Sequence, residues 1–246
     1  PPIRKDTTDR NRTSPLAFTG NKFEFRMLGS SQSISGPNIA LNTIMAEELG
    51  QFADVLEKAD DFDTALHALV CDVFTKHQRI IFSGNGYSEE WKKEAAKRGL
   101  SNLPSTAKCL PTYVSEKNIQ LVTKHGIFTE AEFQARYAIY QEAYNKIVRI
   151  EAKTMVDMAV HQIYPAALRY CDDLCQTLYH KQAMKLPCKA ETELAQLLAD
   201  STEKLHKSTN DLYNVLQAVP SDAEEASSYY YTQVIPRMED VRAHAD

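Results

Sequence analysis

Between residues 22 and 27 apolar and charged side chains alternate, with Phe23, Phe25 and Met27 on one parity and Lys22, Glu24 and Arg26 on the other. Successive side chains of a strand point to opposite faces. This period of two therefore predicts a strand over 21–28 with one apolar and one charged face. Residues 1–20 are polar and rich in turn formers, and read as a loop. Beyond the loop GSSQSISG (29–36) the period changes. Leu41, Ile44, Met45, Leu49, Phe52 and Leu56 recur at helical spacing, which predicts a helix opening at Pro37 and running to about Ala59. Asp61 is the expected N-cap of the next helix, which carries Leu66, Leu69, Val70, Val73 and Phe74 to about Ile81. Gly84-Asn85-Gly86 breaks the chain as a turn, and Ser88 caps a short helix expected to end at Gly99.

Residues 100–115 contain prolines and read as a connector, followed by a helix near 116–125 that stops at Gly126. Thr129 opens a long helical stretch from about 130 to 184, which Pro165 is expected to kink or divide. Pro187 ends it. From 190 to 217 the series Leu194, Leu198, Ser201, Leu205, Ser208, Leu212, Val215 has a heptad-like step and suggests antiparallel helix pairing, the serines allowing close approach. A turn at Pro220-Ser221 precedes a last helical segment with Tyr230, Val234, Met238 and Val241, interrupted at Pro236. The fold class is mainly α. Eight glycines in 246 residues, with plentiful Ala, Leu, Glu, Lys and Gln, agree with long helices.

Charge changes the picture at one place. The net charge is −5, but residues 1–26 hold Arg4, Lys5, Arg10, Arg12, Lys22 and Arg26 against Asp6, Asp9 and Glu24, so that segment is +3 and the remainder −8. A basic patch on an acidic protein suits a small anionic ligand; nucleic acid needs a broader positive surface and is not expected as a partner. No apolar run is long enough to cross a bilayer, so no membrane partner is expected. The five cysteines are an odd number in a chain too large to need stapling, and read as reduced thiols in a cytoplasmic protein. Cys171 and Cys175 lie four apart with His180 nearby. Without a second pair at ligand spacing they read as buried small hydrophobes, not a zinc site. The chain opens Pro-Pro-Ile without Met and closes inside a helical pattern, so it reads as a fragment of a longer protein.

The informative stretch is DRNRTSPLAFTGNKFEFR (9–26). Lys-Glu-Arg alternation on a strand has two readings. One is a solvated face held by weak pairing. The other is a phosphoryl-transfer site, in which Glu24 ligates a hard divalent cation and the arginines neutralise phosphate oxygens.

Extended to DRNRTSPLAFTGNKFEFRMLGSSQSISGPNIALN, the stretch resembles the end of the catalytic sheet in type III glutamine synthetases, with Leu16 where members usually have Phe. IFTEAEFQARYAIYQEAYNKI (127–147) resembles the closing helix of that family's catalytic domain. NGYSEEWKKEAAKRG (85–99) and the helices after about 150 resemble the type III class alone. The resemblance implies that 1–150 is the C-terminal part of an α+β catalytic domain, its last strand and closing helices, and that 151–246 is an antiparallel helical C-terminal extension. It implies that Glu24 matches a metal-ligating glutamate and that Arg26 matches an arginine contacting glutamate and its transferred phosphoryl group. Arg12 and Arg10 match arginines on ATP phosphates, their roles interchangeable by spacing, and Lys22 is a basic position beside the nucleotide. The implied cofactors are ATP with Mg2+ or Mn2+. The implied reaction joins glutamate and ammonia through a γ-glutamyl phosphate, in a large homo-oligomeric ring assembly. The competing reading is a non-catalytic helical scaffold or oligomerisation module, which accounts for the helices but not for the 9–26 cluster.

Overall fold

A computed structural model describes residues 14–18, 22–27, 29, 31–82 and 84–245, the side chain of Phe18 excepted. It is 76% helical with two short strands, so the chain is mainly α, as the periodicity indicates. The strands, β1 (Leu16–Phe18) and β2 (Phe23–Phe25), pair antiparallel with Leu16 opposite Phe25, Ala17 opposite Glu24 and Phe18 opposite Phe23. β1 corrects the reading of 1–20 as loop. Its three residues are too few to display a period, and pairing with β2 is what makes them a strand.

The helices are α1 (Ser35–Leu56), α2 (Phe62–Lys76), α3 (Glu89–Lys97), α4 (Thr106–Tyr113), α5 (Glu116–Lys124), α6 (Glu130–Met158), α7 (Tyr164–Ala183), α8 (Lys189–Gln217), α9 (Ala223–Tyr229) and α10 (Ile235–Ala245). Helix α1 starts two residues before Pro37, which therefore sits inside the first turn. The Asp61 carboxylate caps α2 by accepting from the amides of Asp63 and Thr64, and Ser88 Oγ caps α3 by accepting from Trp91 N at 3.2 Å. Helix α2 ends five residues earlier than its apolar period suggests, and a 3-10 turn occupies Gln78–Ile80. Gly99 and Gly126 take the left-handed φ values of 68° and 63° after α3 and α5, a conformation open to glycine at little cost.

Helix α4 corrects the reading of 100–115 as connector. Pro111 lies inside it. Eight residues tolerate the lost hydrogen bond because Ser105 caps the start and tertiary contacts hold the rest: Leu110 is buried, and the Tyr113 ring stacks on Phe133 at 4.2 Å.

By packing, the described residues form two units. One comprises the residues up to Leu103 with Lys117–Thr129; the other comprises Pro104–Glu116 with the residues from Glu130 onward. In the first unit α1 packs on α2, and Glu47 of α1 is held from the end of α5 by Lys124 Nζ at 2.7 Å and, one residue on, by His125 Nε2 at 2.8 Å.

The second unit contains the continuous apolar cluster: Val148, Ala152 and Ala159 from the α6 side, Leu205 and Leu212 from α8, and Ala226, Tyr230, Val234 and Val241 from the C-terminal segment. Helices α7 and α8 are joined by residues 184–188, pack on each other as a hairpin and are pinned by a Lys181–Glu191 ion pair. The seam serines and threonines satisfy themselves inside α8: Ser208 Oγ and Thr209 Oγ1 both donate to the Leu205 carbonyl. Ser227 of α9 donates to Asn145 Oδ1 at 2.9 Å, and Asn145 Nδ2 to the Ala223 carbonyl at 2.9 Å, which ties α9 to α6.

Pro165 and Pro236 are accommodated in the same way. Each follows a five-residue π turn, Ala159–Ile163 before one and Tyr230–Val234 before the other. A proline ring inside a helix clashes with the carbonyl four residues back and leaves it without a donor. Widening the preceding turn to five-residue hydrogen bonds moves that carbonyl aside, so the helix axis is divided but not broken.

Candidate functional site

The charged face of β2 is the place to look for chemistry. β2 puts Glu24 and Arg26 on one side because their spacing is two. The backbone amide of Arg26 donates to the Pro15 carbonyl at 2.8 Å, which extends the ladder past β2 and fixes the root of the Arg26 side chain. Ser14 Oγ closes a small turn on Leu16 at the same end of β1. Across the ladder Glu24 faces Ala17, whose methyl group takes little room and is fully buried.

The guanidinium of Arg26 reaches back along its own strand. Its Nη2 and Nε lie 2.8 and 3.1 Å from Glu24 Oε2. The Arg26 side chain is 24% exposed and that of Glu24 45% exposed, so the pair sits at a water boundary. Charge-assisted bonds with two N–H groups on one carboxylate orient both partners more firmly than a single contact does. Lys22 lies one residue before β2 and is exposed. The structure thus brings Glu24 and Arg26 together and leaves Lys22 just before β2. Arg10 and Arg12 lie outside the described residues.

The opposite face of β2 is apolar and open. Phe23 is 59% exposed and Met27 54%. Leu16, where the resemblance has Phe, stands opposite Phe25 on that side, away from Glu24 and Arg26.

A hard divalent cation takes about six or more oxygen ligands in Ca2+-type or octahedral Mg2+-type geometry. Among the described residues no three or more His, Cys, Asp or Glu side chains converge as a metal cage. Glu24 offers one carboxylate, so these residues do not make a metal centre by themselves. The Cys171–Cys175 pair is corrected as well. Cys175 is exposed and Cys171 half-buried, so the two are not core hydrophobes, and burial and the neighbouring thiol push the Cys171 thiol pKa up. No helix among the described residues is long and apolar enough to cross a membrane.

The comparisons with known proteins bear on this strand and on the helices after it. Residues 65–182, from α2 to near the end of α7, match the glutamine synthetase C-terminal domain. The whole chain is 35% identical to a type-3 glutamine synthetase of Dictyostelium discoideum. A glutamine synthetase of Butyrivibrio fibrisolvens is 34% identical over 98% of the chain, and one of Bacteroides fragilis 33% identical over all of it. The chain belongs to the glutamine synthetase family. It corresponds to a C-terminal portion of such a protein, and spans about 35% of the length of each of these relatives.

Proposed function

We propose that the whole protein to which this chain contributes is a glutamate–ammonia ligase: it condenses glutamate and ammonia with ATP through a γ-glutamyl phosphate. The observation that carries this reading is similarity along the entire chain, charged strand included, to proteins that are each named glutamine synthetase. In this proposal Arg26 grips the glutamate substrate and its developing phosphoryl group. Arg12 and Arg10, with Lys22, hold ATP phosphates. Glu24 contributes one oxygen to a Mg2+ or Mn2+ site whose remaining ligands come from elsewhere in the full-length enzyme. When bound, the metal supplies charge neutralisation at phosphoryl oxygens. A cytoplasmic ring assembly of identical subunits belongs to the same proposal.

The Arg26–Glu24 pair supports the assignment physically. A guanidinium is the planar fork that binds a substrate carboxylate or phosphoryl group with two parallel bonds, and in this proposal Arg26 exchanges Glu24 Oε2 for the substrate as Glu24 turns to the metal.

Steady-state kinetics of the full-length enzyme test the roles. Arg26→Lys keeps the charge and loses the fork, so kcat falls and the KM for glutamate rises. Glu24→Ala loses most turnover with the fold retained, on the order of several kcal/mol of transition-state stabilisation. If the pair were only a solvated surface contact, worth about 0–1 kcal/mol, Arg26→Lys would stay within about twofold in both constants, and the assignment would fall.

A further inference from the structure

The second unit contains a cleft of about 540 Å3 between the C-terminal end of α6 with its π turn and the C-terminal half of α8. Its composition is specific. Lys153 lies on its wall, and no carboxylate among the described residues comes within ion-pair distance of it. The one acid on the wall, Asp157, is already engaged: His161 Nδ1 lies 3.0 Å from its Oδ1, one helical turn away. An incoming anion therefore meets an ammonium held in no ion pair among the described residues, and a carboxylate already in contact with His161. Val156, Val160 and Leu216 supply an apolar floor, and the Tyr213 ring, 52% exposed, stands at the side. Asn210 also lines the cleft, its Nδ2 3.1 Å from His206 Nε2 one helical turn back.

The π turn is what shapes this wall. Ala159 in the turn is buried in the core, while Val160 and His161 are exposed at the cleft. The wider turn carries one extra residue outward, and it exists because Pro165 forbids a regular one. Clefts that combine an apolar floor with a few placed polar groups are the usual form of small-molecule sites.

We infer that this cleft binds a small organic anion with a flat aromatic or heteroaromatic body, the ring lying between Tyr213 and the Val160 side and the anionic group at Lys153. A simple inorganic anion leaves the apolar floor wet, and a neutral apolar ligand leaves the ammonium unanswered; an amphipathic anion satisfies both.

The probe is 1-naphthalenesulfonate, titrated into the full-length protein and followed by ligand-observed NMR. Saturable binding is expected. Lys153→Gln weakens it about tenfold, as loss of one charge-assisted bond does, and Val160→Glu, which sets a like charge on the floor, weakens it as well. Lys204→Gln, on the exposed surface of α8 outside the cleft, leaves it unchanged. Thermal melts confirm folding of each variant, and all three positions are exposed. Absence of saturable binding, or equal affinity in wild type and Lys153→Gln, overturns the assignment.

Discussion

Burial without a partner gives Tyr144 a measurable cost. Its ring packs against the apolar cluster of the second unit, yet its hydroxyl is buried with no hydrogen-bond partner among the described residues. The same burial pushes the phenol pKa up. A buried hydroxyl that has given up water and gained nothing costs about 1–3 kcal/mol. Tyr144→Phe keeps the ring and removes the orphan, so it should stabilise the protein by roughly 1 kcal/mol, seen as a higher urea midpoint at unchanged slope. A lower midpoint would mean that the hydroxyl has a partner after all. Glu47 is the opposite case. Hydrogen bonds from Lys124, Gln51 and His125 hold its carboxyl down to about 2, against an ordinary 4.5. A carboxyl depressed by folding stabilises the native state at pH above its ordinary value, and that contribution disappears as the pH falls from about 4.5 to about 2. Melting temperatures of wild type and Glu47→Gln should therefore differ at pH 7 and converge as pH approaches 2. A constant gap across that range would show that another group dominates. At this scale the sequence was informative where spacing alone decides the outcome. Glu24 and Arg26 share a face because they are two apart on a strand. The Glu47 cluster was not legible, because α1 and the end of α5 are far apart in sequence and only folding joins them.

Elements were legible where local chemistry and tertiary packing agree. Asp61 and Ser88 read as caps and are caps, and Gly99 and Gly126 stop their helices through positive φ. Where tertiary contacts override local preference the reading failed: β1 exists by pairing with β2, and α4 exists despite Pro111. The π turns carry no compositional signal of their own. Only the prolines after them were visible, as breaks. The seam of α8 was legible in part, since Leu205, Ser208 and Leu212 are buried as their spacing implies while Leu194 remains 41% exposed. A helix turns every 3.6 residues, so a heptad-spaced row drifts around its surface and leaves a straight interface. Leu212 is fully buried at the centre of the apolar cluster. Truncating such a leucine removes transfer energy and opens a cavity, so Leu212→Ala should cost about 2–5 kcal/mol. Leu197 on the same helix is 64% exposed, and Leu197→Ala should stay within about 0.5 kcal/mol. Chemical denaturation of the two variants separates them; equal losses would contradict the placement of the seam.

Across the whole molecule, burial is distributed unevenly. Among the described residues of the first unit only Ala17, Thr43 and Val122 are buried, and α2 buries none of its side chains. Phe23, Met45, Leu49, Phe62, Phe74 and Ile80 are each at least 46% exposed there. Helices with an apolar period and no covered face gain little from packing, and tertiary packing is the main source of helix stability. A two-stranded ribbon of three-residue strands is also marginal by itself. The second unit, with its continuous cluster, has the larger opening free energy. Hydrogen exchange on the isolated 246-residue chain should therefore show amides of α8 and α10 protected well beyond those of α1 and α2. In the full-length protein the amides of α1, α2 and β2 should gain protection, the outcome expected where the exposed Phe23, Leu49 and Phe74 meet further chain. The same asymmetry bears on activity. In the proposed site Glu24 would supply one carboxylate where a metal needs several oxygen ligands, and among the described residues no cluster of His, Cys, Asp or Glu supplies the rest. The isolated chain should form no glutamine from glutamate, ammonia and ATP. Measurable ATP-dependent glutamine formation by the chain alone, or equal protection of α1 and α2 in the chain and the full-length protein, would show that the charged strand is complete without its cover.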